Sequence, residues 1–92
     1  MNEVLYLLKK DAEPRRVFCR SASITMREFY EANANDFYPE RKFILSDYLD
    51  YDDERMVEYE GKRYRVLRTY RAGQEMELVV TRASAVEGAA YG

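Results

Sequence analysis

The sequence predicts one small, mostly-β domain: an antiparallel β-barrel of about six strands with one α-helix and a long acidic loop. Three observations lead to this fold class. The chain has 92 residues, which is enough for a single domain with a modest core. Several short segments alternate between apolar and polar residues, as strands with one buried face do. Only one segment, at about residues 25–37, has the apolar spacing of an amphipathic helix.

Six segments are predicted as strands from their alternating or continuous apolar residues. They lie at residues 3–10, 16–23, 41–49, 55–59, 62–71 and 76–82. The last three are joined by short turns and therefore predict an antiparallel meander, with Gly61 supplying the positive φ of its first turn. A sheet this short protects its edges best by closing, so residues 1–82 are assigned to one barrel domain. Residues 83–92 are mostly Ala, Ser and Gly and are predicted to form a flexible tail.

The helix is predicted from its N-terminal cap and from an apolar stripe. Thr25 and Glu28 have the spacing of a capping box, in which the hydroxyl and the carboxylate each accept a hydrogen bond from a free backbone N–H. Met26, Phe29 and Tyr30 begin the stripe, which we expect to pack onto the sheet. A proline two residues after the stripe ends the helix.

The composition argues against an enzyme. The chain has no histidine, which is the commonest general base and metal ligand. Its single cysteine, Cys19, cannot form an internal disulfide or a cysteine-based zinc site alone, and strand alternation predicts a buried, unreactive thiol. We therefore predict no catalytic residue, no metal and no cofactor. The N-terminal residues lack a basic leader, and no apolar run approaches the roughly 20 residues of a membrane helix, so a cytoplasmic setting is expected.

Residues 47–54 form an acidic segment that is predicted to be a long loop, called the acidic loop below. Its carboxylates belong to Asp47, Asp50, Asp52, Asp53 and Glu54. Three of them alternate as calcium ligands do, but Arg55 occupies the position where an EF-hand requires glycine. Two interpretations remain open at this point: a solvated loop, and an electrostatic surface for a partner.

A basic strand follows the acidic loop along the chain. Its candidate interface residues are Lys62, Arg63, Arg65 and Arg71. Strand alternation places the three arginines on one face. Cations interleaved with aromatic residues such as Tyr64 are typical of proteins that bind single-stranded nucleic acid, whereas Glu58 and Glu60 on the preceding strand predict cross-strand ion pairs. A third interpretation combines both segments: unlike patches on one protomer favour head-to-tail association of copies, which can close into a ring.

A set of short motifs stands in a distinctive order between residues 16 and 82. They are Ser23-Ile24, EFYEA at residues 28–32, Pro39-Glu40, Phe43, VEYEGKRY at residues 57–64, Arg68-Thr69-Tyr70, Glu77-Leu78 and Arg82. The ordered set resembles the small head-closure proteins of tailed bacteriophages, which are also called stoppers or head–tail joining proteins.

The resemblance implies a structural role in a phage or prophage particle. Proteins of this family are similar small barrels with one helix and a long loop, and they have no catalytic residues. They assemble as homo-oligomeric rings beneath the portal and adaptor proteins, close the DNA-filled head and present a platform to the tail proteins. The resemblance also implies a location in the virion after assembly in the host cytoplasm, with the acidic loop facing a channel through which DNA passes without specific binding. The alternative is an OB-like module that binds nucleic acid through Arg63, Arg65 and Tyr64.

Overall fold

A computed structural model of the chain describes residues 3–32 and 38–83. The described strands are β1 (Glu3–Leu8), β2 (Arg15–Ala22), β3 (Arg41–Leu45), β4 (Met56–Tyr59), β5 (Lys62–Ala72) and β6 (Glu75–Arg82). Helix α1 (Met26–Ala32) lies between β2 and β3, and a short 3-10 helix (Tyr48–Asp50) lies between β3 and β4. The predicted order of strands and helix is confirmed. Residues 33–37 of the predicted helix and residues 84–92 of the predicted tail lie outside the described residues.

The strands close into a barrel in the order β1-β2-β3-β6-β5-β4, and all neighbouring strands are antiparallel. The meander of the last three strands is confirmed. Its first turn has positive φ at both central residues, 51° at Glu60 and 76° at Gly61, which matches the twist of a two-residue hairpin. Two pairings between strands distant in sequence, β1 with β4 and β3 with β6, complete the closure. Closure removes the sheet edges through which small β-proteins associate.

The barrel interior is filled by inward-facing side chains of all six strands. Phe43 is fully buried, and its ring centroid lies 4.8 Å from that of Tyr59 and 6.0 Å from that of Tyr64. The other buried residues of this core are Leu5, Leu7, Val17, Cys19, Leu45, Val57, Val66, Leu78 and Val80. Two of the nine tyrosines therefore stabilise the core through aromatic contacts.

Strand β2 alternates as predicted. Val17 and Cys19 point into the core, whereas Phe18 and Arg20 point outward. Burial, together with a smaller contribution from the negative charge of Glu3, raises the pKa of the Cys19 thiol to about 11. The predicted core position of the thiol is confirmed.

A β-bulge in β5 changes the face on which its last residues lie. The register between β5 and β6 shifts by one residue at Leu67. An extra residue on one strand reverses the inside–outside alternation that follows it. Arg71 consequently lies opposite Met76, which packs against the core. The prediction that Arg71 shares a face with Arg63 and Arg65 is therefore wrong.

The capping box of α1 also fixes the helix to the barrel. The Thr25 N–H donates to Glu28 Oε1 at 2.9 Å, and the Glu28 N–H donates to Thr25 Oγ1 at 3.1 Å, as predicted. The same Glu28 carboxylate accepts hydrogen bonds of 2.9 and 3.0 Å from Lys42 Nζ on the outer face of β3. Lys42 also lies 3.4 Å from Glu77 of β6. Burial alone would raise the pKa of Glu28, but the bonds from Thr25 and Lys42 lower it.

The apolar stripe of α1 faces largely away from the barrel. Met26 is 69% exposed and Tyr30 is 67% exposed, while Phe29 is half-buried. The prediction that this stripe packs onto the sheet is therefore wrong for Met26 and Tyr30. The physical reason is that the helix contacts the barrel through the carboxylate of Glu28, which points the stripe to solvent.

Candidate interaction surfaces

A buried carboxylate anchors the acidic loop to the barrel. Glu54 is 2% exposed, and its Oε2 accepts a hydrogen bond of 2.6 Å from Arg15 Nη2 at the start of β2. Its Oε1 accepts a 2.6 Å bond from the Asp52 N–H, and its backbone carbonyl accepts a 2.6 Å bond from the Tyr51 hydroxyl. Glu54 therefore holds the loop in place.

Two further carboxylates of the loop are engaged within the protein. Lys9 Nζ donates to Asp52 Oδ2 at 2.8 Å and to the Asp52 carbonyl at 3.1 Å, and the bond to the carboxylate lowers the pKa of Asp52. Asp47 caps the 3-10 helix by accepting from the Leu49 N–H at 3.0 Å, and it also accepts from Gln74 Nε2 at 2.7 Å. These contacts fasten the loop to the β1–β2 connection and to the β5–β6 turn.

Asp50 and Asp53 carry the carboxylates that the acidic loop leaves available. Within the described residues, neither side chain makes a hydrogen bond or an ion pair. Asp53 is exposed and has a φ of 59°, and Asp50 is half-buried. No cluster of three or more acidic, cysteine or histidine side chains within residues 3–32 and 38–83 is arranged to hold a metal ion.

The basic strand is partly neutralised by its neighbours. Arg63 Nε lies 3.5 Å from Glu58 Oε1, and the two residues are register partners across β4 and β5, so this predicted cross-strand ion pair is present. Lys62 is exposed beside the turn and Arg65 is half-buried. The ring of Tyr64 is buried in the core and is not presented for stacking on a base.

Arg71 belongs to a different part of the surface. Its guanidinium carbon lies 3.5 Å from the centroid of the Tyr48 ring, and its Nε donates to the Gly73 carbonyl at 3.2 Å. The Tyr48 N–H in turn donates to the Gln74 carbonyl at 2.7 Å. Arg71 therefore joins the β5–β6 turn to the acidic loop, whereas Arg63 and Arg65 lie near the opposite end of β5.

One end of β1 carries a tyrosine–carboxylate pair. The Tyr59 hydroxyl donates to Glu3 Oε1, and the Ser21 N–H donates to Glu3 Oε2 at 3.2 Å. The hydrogen bond to Glu3 raises the pKa of Tyr59 to about 12 and lowers the pKa of Glu3. The guanidinium of Arg41 lies over the Tyr59 ring, 5.2 Å from its centroid.

Among residues 3–32 and 38–83, two groups of aromatic and apolar side chains are exposed on the outside of the protein. We call the first the barrel patch: Val4, Tyr6 and Phe18 on the outer faces of β1 and β2, where Tyr6 is 39% and Phe18 is 50% exposed. We call the second the helix patch: Met26, Phe29, Tyr30 and Tyr38, which lie on and beside α1. Sequence reasoning did not identify either patch as a site. The signal for the barrel patch was present, because strand alternation already placed the large ring of Phe18 outward.

Comparisons of the chain with protein-family models, curated proteins and solved structures give no significant match. In the part of the chain that the structure describes, no helix has the length and apolar character needed to cross a membrane.

Proposed function

We propose that this protein is a structural subunit of the head–tail connector of a tailed bacteriophage or prophage particle, where copies of it form a ring. One observation carries the proposal: a closed barrel has two separate aromatic patches on its outer surface. A closed barrel cannot add strands from a neighbour, so its copies must associate through side-chain surfaces. Two unlike patches on one protomer favour heterologous contacts, which close into a ring when the rotation between copies permits.

In this role the ring lies between the portal and adaptor proteins above and the tail proteins below. It closes the DNA-filled head in the assembled virion, and it needs no catalytic residue. Asp50 and Asp53 are the carboxylates available to line the channel, because the other three acidic side chains of the loop are bound within the protomer. Negative charges at these positions would repel the phosphate backbone and let DNA slide through.

The alternative function, an OB-like nucleic-acid-binding module, has less support from the geometry. Such modules stack bases on exposed aromatic rings beside cations. Tyr64, the ring expected to do this, is buried, and Arg63 is paired with Glu58. Gel-shift titration with single-stranded DNA at low salt distinguishes the two functions, since a true binder should show a steep salt dependence.

The test of the proposal is incorporation into particles. Purified particles from the producing strain should contain the protein at the head–tail vertex, as located by cryo-electron microscopy and quantified by mass spectrometry. The double substitution Arg63→Glu with Arg65→Glu should leave the monomer folded and give heads that leak DNA and lack tails. A matched control, Lys10→Glu with Arg55→Glu, makes the same change in net charge at two exposed positions outside the basic strand and should assemble normally.

One outcome would contradict the connector role, and another would contradict only the part that the basic strand has in it. Absence of the protein from purified particles would contradict the connector role as a whole. Normal, infectious particles from the variant with Arg63→Glu and Arg65→Glu would mean that the basic strand is only a solvated face. In that case the contacts between copies would be made by the aromatic patches and not by the basic strand.

A further inference from the structure

Helix α1 stands between two hollows in the surface of the protein. The first has a volume of about 470 Å³ and is lined on the helix side by Met26 and Phe29. The second has a volume of about 650 Å³ and is lined on the helix side by Arg27 and Glu28. A helix packed tightly along its length against a barrel would fill such spaces with side chains. The helix therefore lacks the continuous packing that the strands have.

Burial of apolar side chains contributes little to holding α1 in place. Met26 and Tyr30 are mostly exposed, and Phe29 is half-buried. The helix has only seven residues, whereas helices shorter than about 12–15 residues are marginal in water by themselves. A contact with the barrel must therefore keep this helix both docked and folded.

That contact is an ammonium group shared by a carboxylate of the helix and a carboxylate of the barrel. Lys42 Nζ lies 2.9 and 3.0 Å from the two carboxylate oxygens of Glu28, and 3.4 Å from Oε1 of Glu77 on β6. The Lys42 side chain is only 10% exposed, so the loss of every carboxylate partner would be strongly destabilising. Arg27 and Arg68 line the same hollow, and Glu77 is the one lining carboxylate that belongs to the barrel. Glu77 can therefore keep Lys42 paired when Glu28 leaves.

From this geometry we infer that α1 is a detachable element, which leaves the barrel as a unit when Lys42 exchanges Glu28 for Glu77, while the barrel stays folded. The ion-pair cluster then has two discrete arrangements, as a two-state element requires. Lys42 binds both carboxylates when the helix is docked and Glu77 alone when it is detached. Both hollows include Thr25 and Lys42 in their lining, so detachment would open them into one surface at this side of the barrel. This inference goes beyond the proposed function and does not depend on it.

Native-state hydrogen exchange of the full chain, followed residue by residue by NMR, tests this inference. The reporters are the helical amides, among them the Phe29 N–H, which donates to the Thr25 carbonyl at 2.9 Å; the amides of β1 and β6 are the reference. In the wild type the protection factors of the reporters should be at least about tenfold lower than those of the reference and insensitive to low urea, because local opening exposes little surface.

Two substitutions should shift this protection in opposite directions. Glu28→Gln keeps the capping box, which accepts glutamine at this position, but removes the charge that holds Lys42. It should lower the protection of α1 by about tenfold or more and leave the barrel amides unchanged. Glu77→Gln should raise the protection of α1, because Lys42 then has no carboxylate partner in the detached state. Glu13→Gln, at an exposed position between β1 and β2, also removes one carboxylate charge and should change the protection by no more than about twofold.

Three results would overturn the inference. Equal protection and equal urea dependence of α1 and the barrel in the wild type would mean that the helix opens only when the whole domain unfolds. A Glu28→Gln variant that protects α1 as well as the wild type does, or that loosens the barrel equally, would mean that this carboxylate does not control docking. A Glu77→Gln variant with lowered protection of α1 would mean that Glu77 supports the docked helix and does not replace Glu28. The free protein is used throughout, so failure of the connector role would leave these results unchanged.

Discussion

Replacement of Glu54 by glutamine should destabilise the protein although it changes only one charge. The buried carboxylate accepts one bond from the Arg15 guanidinium and one from the Asp52 N–H. Glutamine is nearly isosteric and still offers a carbonyl oxygen to the Asp52 N–H. The loss is therefore confined to the charge-assisted bond from Arg15, which spans 2.6 Å.

The magnitude follows from the burial of the two partners. A hydrogen bond to a charged group contributes about 1.5–3 kcal/mol. The Arg15 side chain is 47% exposed, so solvent weakens its charge, and we expect Glu54→Gln to lower the free energy of unfolding by about 1–2 kcal/mol. In a domain of this size each kcal/mol lowers Tm by about 4–8 °C, so Tm should fall by about 4–16 °C.

Urea and thermal unfolding followed by circular dichroism measure this effect. Asp53→Asn is the matched control: it removes a neighbouring charge whose carboxylate makes no hydrogen bond to any described residue, and asparagine tolerates the φ of 59° at that position. The control should stay within about 0.5 kcal/mol of wild type. Equal stabilities of Glu54→Gln and Asp53→Asn would refute the anchoring role of Glu54.

Three further predictions concern the core and its ionisation. Phe43→Ala should lower the free energy of unfolding by about 3–5 kcal/mol, because the Phe43 ring is fully buried. Phe29→Ala should lower it by about 1 kcal/mol, because the Phe29 ring is only half-buried. Chemical denaturation of the two variants measures both changes. Native Cys19 should react with a thiol reagent far more slowly than the unfolded chain, and rapid labelling at pH 8 would contradict its burial. Tyr59 has a pKa raised from 10.0 to about 12, so its protonated form is favoured in the folded state, and stability should fall as pH rises from about 10 to about 12. In the Tyr59→Phe variant the midpoint of urea unfolding should fall less between about pH 10 and 12 than in the wild type. An equal fall in both proteins would assign the loss of stability to other groups.

The sequence was sufficient for features that depend on neighbouring residues. The alternation of Val17 and Cys19 with outward residues fixed the faces of β2, because side chains of a strand point to opposite sides in turn. The capping box of Thr25 and Glu28 formed at the expected spacing. Barrel closure was expected from the number and shortness of the strands, since closing the sheet abolishes its edges altogether.

Features that depend on distant residues could not be predicted in the same way. The bulge at Leu67 inserts one residue into a ladder, and the residue type itself carries no signal for it. Glu54 and Asp50 look alike in an acidic run, but only Glu54 meets Arg15, which lies 39 positions earlier. A helical period gives the width of an apolar stripe but not the direction in which it points, and the contact between Glu28 and Lys42 decides that direction.

The final prediction is that the free protein is monomeric or weakly associated at micromolar concentration and forms rings only on a docked portal–adaptor template. Its exposed ion pairs are each worth about 0–1 kcal/mol and can orient copies without holding them together. Burying a large side chain such as Phe18 or Tyr30 contributes about 1.5–3 kcal/mol, so a few rings supply an energy close to the association cost of about 4–15 kcal/mol. The balance is marginal until a template holds neighbours at high effective concentration. Sedimentation velocity should therefore show one species near 10.9 kDa, and a stable ring in the absence of any template would contradict this energetic argument.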